Sequence, residues 1–176
     1  MSGIESALMV LVPEAEPLAK PFRDRYDPSA AAGVPAHITL LYPFKHPDEI
    51  DQRVLDDLGR LFHQRQAFRF SLATIRRFPD AVLYLAPEPG EPFRALTQAI
   101  WDKYPDTPPY GGKWPDIVPH LSVAWVGNEG KLGGIADDFA SASEGKLPIH
   151  ATAMGVVLME NRSTRWRTRA TFGFRG

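Results

Sequence analysis

Apolar residues recur along this chain with two different periods, and the places where the period changes mark its elements. Ser6 to Pro13 is a compact apolar run, short enough for a strand, and Glu14 to Tyr26 follows with a helix-compatible pattern that Asp27-Pro28 ends. A loop of small residues covers Ser29 to Pro35. His37 to Tyr42, bounded by Pro35 and Pro43, reads as a second short strand. Pro47-Asp48-Glu49 then opens a segment in which Ile50, Val54, Leu55, Leu58, Leu61 and Phe62 return at helical spacing, with proline and acids where a helix N-terminus favours them. Phe68 to Ile75 and Ala81 to Ala86 read as strands, with a turn expected at Pro79-Asp80.

The second half passes through the same elements. Glu91 to Tyr104 is an amphipathic helix whose Phe93, Leu96, Ile100 and Trp101 share a face, and a proline- and glycine-rich loop spans Pro105 to Val118. His120 to Val126 is again a short strand after a proline. A helix over Leu132 to Ala142, one strand over Ile149 to Met159 and a last strand over Arg165 to Phe174 complete the chain. Each half reads helix, loop, histidine strand, helix, strand, strand. Outside the histidine strands the halves share no obvious identity, so what repeats is element order. The expectation is an α+β fold of pseudo-twofold symmetry, a single bilobal domain over 1–176 with lobes near 14–86 and 91–174 and no linker between them.

Composition narrows the class. A chain of 176 residues with 44% apolar and 23% charged residues can bury a core and has the balance of a globular protein. Its apolar runs, such as Ala7 to Val12, fall far short of the roughly 20 residues that cross a bilayer, and no basic segment leads into an apolar one at the N-terminus. A cytoplasmic location without membrane contact is expected. With no cysteine there is no disulfide, no thiolate nucleophile and no sulfur-based zinc site. A net charge of −1 disfavours a grip on long nucleic acid and favours a short or small substrate. Arg165, Arg167 and Arg169 alternate, which would put three cations on one strand face, either solvated or turned toward phosphate.

The chemistry sits at matching places in the two halves. Pro-Ala-His37-Ile-Thr39-Leu and Pro-His120-Leu-Ser122-Val each place a hydroxyl residue two positions after a histidine, hence on the same side of a strand. Ile38, Leu40, Leu121 and Val123 then face the other way and anchor each strand to its lobe. One copy alone would carry little weight, because histidine in a strand is often structural. Two copies at equivalent places have no packing rationale. Across a twofold cleft they would offer two imidazoles and two hydroxyls to one ligand. Phosphodiester cleavage needs a base on the attacking oxygen and an acid on the leaving oxygen, and imidazole serves in either form near neutral pH. The Thr39 and Ser122 hydroxyls would hold non-bridging phosphate oxygens, with no metal and no cofactor required.

The segments HITLLYPF and HLSVAWV resemble the two signature motifs of the 2H phosphoesterase superfamily, which includes the 2′,5′ RNA ligase-like proteins and cyclic nucleotide phosphodiesterases. Both copies satisfy the pattern histidine, hydrophobic, threonine or serine, hydrophobic. The resemblance implies a bilobal fold of two antiparallel sheets flanked by helices, with both motifs in a central cleft. It implies metal-independent hydrolysis or transfer at 2′-linked or 2′,3′-cyclic phosphates of nucleotides or RNA ends. His37 and His120 would be the catalytic pair, and Thr39 and Ser122 the phosphate binders.

Further candidates are weaker. Tyr42, Tyr110 and Trp114 could stack on a base, although aromatic residues more often pack, and Trp166 reads as core. Lys45 and the Arg76-Arg77 pair could reach phosphate. His150-Ala-Thr152 is a third copy of the spacing without a counterpart in the first half, and reads as incidental. Two other classes compete: a noncatalytic RNA or nucleotide binding module, and a histidine-based metal site, for which hydroxyl partners are poor ligands. A 2′,5′ ligase activity on the same residues is a further alternative, as one acid–base pair serves both directions.

Overall fold

In the computed structural model, which describes residues 3–79 and 81–176, eight strands and five helices follow one another in the expected alternation. The strands are β1 (Glu5–Leu11), β2 (His37–Leu41), β3 (Phe68–Phe78), β4 (Val82–Glu88), β5 (Leu121–Trp125), β6 (Ile149–Ala153), β7 (Gly155–Asn161) and β8 (Trp166–Gly173). The helices are α1 (Glu16–Tyr26), the single turn α2 (Pro28–Ala31), α3 (Gln52–His63), α4 (Glu91–Lys103) and α5 (Glu129–Ala142). The turn expected at Pro79-Asp80 includes Asp80, which lies outside the described residues. No helix among the described residues is long and apolar enough to cross a membrane.

Two four-stranded antiparallel sheets carry the fold, one in the order β2-β1-β7-β8 and the other β5-β4-β3-β6. Each therefore draws two strands from each half of the chain. The halves 14–86 and 91–174 do not coincide with the sheets, because strands must pair with whichever partner buries the same apolar face, and these partners lie across the repeat boundary. The helices cross over as well: α1 packs beneath β5 in the second sheet, and α4 packs beneath β2 in the first. Thr97 on α4 clamps this contact by donating to the Leu40 carbonyl at 2.6 Å, with Thr97 itself buried.

The strand expected over Ile149 to Met159 is two strands in different sheets. Ala153 ends β6, Met154 is exposed between them, and β7 begins at Gly155. Periodicity alone cannot see this break, since the apolar run continues through it. Gly155 marks it chemically. A Cβ at Gly155 would run into the carbonyl oxygen of Phe172 on β8, so only glycine permits the close approach that starts the β7–β8 pair.

The main core gathers the inward faces of both sheets and the helices, with Leu8, Val10, Ile38, Leu40, Leu72, Leu83, Leu85, Leu121 and Val123 all buried beside Phe62, Phe93 and Phe139. Their alternation fixes the opposite faces. Ile38 and Leu40 are buried while His37 and Thr39 are half-buried, and Leu121 and Val123 are buried while Ser122 is half-buried, as the strand period demands.

Candidate active site

Each histidine is held by the same bond. His37 Nδ1 lies 2.7 Å from the Pro35 carbonyl oxygen, and His120 Nδ1 lies 2.7 Å from the Val118 carbonyl oxygen. A carbonyl oxygen only accepts, so Nδ1 carries the proton in both rings and Nε2 is the lone-pair nitrogen of the neutral form. The bond spans two residues backwards in each case, and in each case the residue between, Ala36 or Pro119, is buried. The prolines before the motifs thus take part in holding the rings: Pro35 supplies the carbonyl, and Pro119 fixes the backbone that presents the Val118 carbonyl.

The two motifs share one space. β2 and β5 pack against each other, and a charge on His120 acts on His37. His37 has its pKa lowered to about 4, chiefly by desolvation, while the Pro35 carbonyl opposes the shift and the Arg23 guanidinium adds to it. Arg23 is buried and paired. Its Nε donates to Asp27 Oδ2 at 3.0 Å, its Nη2 donates to Ser29 Oγ at 3.0 Å, and Ser29 returns to Asp27 through both its hydroxyl and its N–H. The closed Arg23–Asp27–Ser29 set ties α1 to α2, and both its charged members act on His37.

His120 is lined by aromatic rings. Phe78 meets it edge-on at 5.0 Å between centroids and Tyr84 at 5.5 Å, and the two stack on each other at 4.3 Å. On the other side, Thr39 has a neighbour that spacing did not reveal: its hydroxyl acts on the phenol of Tyr110, from the loop before the second motif. Burial pushes the Tyr110 phenol up to about 12. Its backbone N–H donates to the Tyr42 carbonyl at 2.6 Å, and the rings of Tyr42 and Tyr110 meet edge-on.

The remaining candidates separate. Tyr42 faces the cleft side of the first sheet but its hydroxyl is occupied by Glu5 at 2.8 Å. Lys45 is not brought to the motifs: its ammonium pairs with Asp106 at 3.6 Å and lies over the Tyr104 ring, because the chain after β2 turns toward the helical side. Trp114 is exposed, with the Lys113 ammonium over its ring. Arg76 and Arg77 point to opposite faces, Arg76 opposite Tyr84 and Arg77 opposite Leu83. His46 caps the turn at Pro47–Glu49 by accepting from the Asp48 N–H.

Two expectations about the last strand are corrected. β8 pairs Ala170 with Leu158 and Thr168 with Met159, so Arg169 is the extra residue. The three arginines do not share a strand face, because Arg165 lies before β8, with its guanidinium at the Ala31 carbonyl. Arg169 instead donates to the carbonyls of Pro47 and Ile50 and pairs with Glu160, holding the entry to α3. The bulge also turns Trp166 away from the face of Phe172. It packs with Tyr42 in a second apolar cluster of Ala7, Met9, Val34, Val157 and Met159, on the cleft side of the first sheet.

A pseudo-twofold α+β fold of two antiparallel sheets flanked by helices is the architecture of the 2H phosphoesterases. The model of the 2′-5′ RNA ligase superfamily matches residues 11–165, and the chain belongs to that superfamily. Its fold is similar to that of Escherichia coli LigT complexed with 3′-AMP, at 14% identity over 99% of this chain and 100% of that one, with a TM-score of 0.60. It is similar as well to TT0787 of Thermus thermophilus, at 17% identity over 98% of each chain and a TM-score of 0.63. A further solved phosphoesterase aligns at 13% identity over 98% of this chain and 99% of that one, with a TM-score of 0.63. Among curated proteins there is no significant sequence match. Membership of the superfamily makes this a phosphoesterase-type protein.

Proposed function

We propose that this protein is a metal-independent phosphodiesterase that acts on 2′-linked or 2′,3′-cyclic phosphates of nucleotides or RNA ends, with His37 and His120 as its catalytic pair. The observation that carries the reading is the duplicated bond at Nδ1. It fixes the tautomer of both rings, so that each neutral imidazole carries its lone pair on Nε2, with a hydroxyl residue two positions on. A structural histidine has no need of that arrangement, and none needs it twice.

The roles follow from the environments. His37, neutral around pH 7 because burial holds its pKa near 4, suits the base. In hydrolysis of a 2′,3′-cyclic phosphate its Nε2 takes a proton from water, whose oxygen bonds to phosphorus. The bond from phosphorus to O3′ breaks, and O3′ takes a proton from His120, which leaves a 2′-phosphate. Thr39 and Ser122 donate to the non-bridging oxygens as charge shifts onto them. That LigT has been solved with 3′-AMP, NADP+ and ATP supports a nucleotide as the ligand class.

The test is turnover of a panel of 2′,3′-cyclic nucleotides in the presence of EDTA, for the wild type and for His37→Ala and His120→Ala. Each substitution is expected to lower kcat by about 10²- to 10⁴-fold. Full activity in either variant, or wild-type activity abolished by the chelator and restored by metal, overturns the proposal.

A further inference from the structure

The two walls of the cleft are built alike and differ in chemistry. Across the first sheet the register runs from Thr39 to Met9, Val157 and Thr171. Across the second it runs from Ser122 to Tyr84 and Arg76. Tyr84 thus holds the place of Met9, and Arg76 that of Val157. The first wall closes into the apolar cluster around Met9, Val157 and Trp166, so an apolar residue suits this position of the fold and the arginine is not a folding requirement.

We propose that Arg76 forms a second anion subsite on the His120 side of the cleft, so that the preferred substrate carries one further phosphate next to the one that reacts. The class is a nucleoside 2′,3′-cyclic phosphate that is also phosphorylated at its 5′ oxygen, as the last nucleotide of an RNA end is. The scissile phosphate in this statement rests on the phosphodiesterase reading above; the second phosphate rests on the wall itself.

Three observations place Arg76. Its cross-strand neighbour Tyr84 touches the His120 ring, as does Phe78 two residues along β3, so this face of the sheet is the cleft face. Arg76 is exposed, and no carboxylate among the described residues is bonded to its guanidinium. Two inter-strand spacings of about 4.8 Å separate it from Ser122, a gap that an arginine side chain and one nucleotide unit bridge together. A guanidinium grips phosphate through two parallel N–H bonds. Its neighbour Arg77, opposite Leu83, belongs to the other face.

The same wall limits the substrate. Beyond the bulge at Ala73, β3 and β6 border a depression of about 470 Å³ where Arg69 and His150 stand among Glu14 and Glu88. The two carboxylates there outnumber the single guanidinium, so the depression is net negative and disfavours a continuing phosphate backbone. The positive stretch is therefore one phosphate long, in keeping with a net charge of −1. The apolar first wall, with Tyr42 and Trp166, is left for the base and ribose.

Two measurements test this. The first is turnover of adenosine 2′,3′-cyclic phosphate against its 5′-phosphorylated form, by the wild type, Arg76→Ala and Arg77→Ala. The second is calorimetric binding of adenosine 2′-phosphate against adenosine 2′,5′-bisphosphate by the same proteins. The wild type and Arg77→Ala are expected to favour the doubly phosphorylated member of each pair by about tenfold or more, and Arg76→Ala to bring the ratio close to one. Equal affinity of the wild type for both members, or an unchanged ratio in Arg76→Ala, overturns the subsite. If no cyclic phosphate is turned over and the bisphosphate preference still depends on Arg76, the subsite stands and the phosphodiesterase reading falls.

Discussion

The hydroxyl of Thr39 acts on the phenol of Tyr110, which brings the loop before the second histidine motif to the proposed phosphate-binding residue of the first. Tyr110 is held there at some expense, with φ at 52° in the left-handed region that costs a non-glycine residue about 1 kcal/mol or more. Gly111 and Gly112 follow it with positive φ, and the loop folds back on them. Tyr110→Phe is expected to raise KM for a phosphodiester by about three- to tenfold with a smaller effect on kcat, since the phenol binds ground and transition states alike. Steady-state kinetics and the inhibition constant of inorganic phosphate report the change. An unaltered KM and inhibition constant would show that Thr39 works alone.

The environment of His37 sets a pH dependence with a definite sign. In the unfolded chain the imidazole titrates near 6.5, and in the folded protein near 4. Above pH 6.5 neither state holds the proton, and His37 contributes no pH dependence. As the pH falls from 6.5 to 4 the unfolded chain takes up a proton that the folded protein refuses, so stability falls over this window. The urea midpoint should therefore drop across it in the wild type and drop less in His37→Gln, which cannot titrate. With His37 as the proposed base, activity should follow the same group. The acid limb of kcat/KM, which reports the free enzyme, is expected near pH 4 to 5 and not near 6.5. A limb at 6.5 or above would place the base elsewhere.

The candidate site was more legible in the sequence than the arrangement that builds it. His37, Thr39, His120 and Ser122 announce themselves by spacing, because a period of two is a local property and the anchors Ile38, Leu40, Leu121 and Val123 are its counterpart. Sheet membership is not local. Nothing in β1 says that its partner is β7 rather than β3, since both offer a buried apolar face, and only the folded chain shows that the sheets interleave. The split at Met154 was hidden for a related reason: an apolar run reads the same whether it lies in one sheet or passes from one to another. Gly155 was the available signal, an isolated glycine in a strand pattern. The bulge at Arg169 and the separation of Arg76 from Lys45 depend on register, which one chain read alone does not contain.

Tyr104 offers a test of the core that does not touch the chemistry. It ends the α4 segment, its ring meets Phe44 edge-on at 5.3 Å between centroids, and the Lys45 ammonium lies over it at 5.0 Å. The ring is well placed. Its hydroxyl is buried and, among the described residues, has no hydrogen-bond partner, and burial pushes the phenol up to about 12. A buried hydroxyl without a partner loses its hydration and gains nothing in return, which costs about 1 to 3 kcal/mol. Tyr104→Phe keeps both ring contacts and removes that cost, so the variant should be more stable than the wild type by about 1 kcal/mol, measured as a higher urea midpoint at unchanged slope. A lower midpoint would mean that the hydroxyl is satisfied in solution, by water reaching it past Lys45 or by a carboxylate of Asp51 or Asp57, both of which act on the phenol.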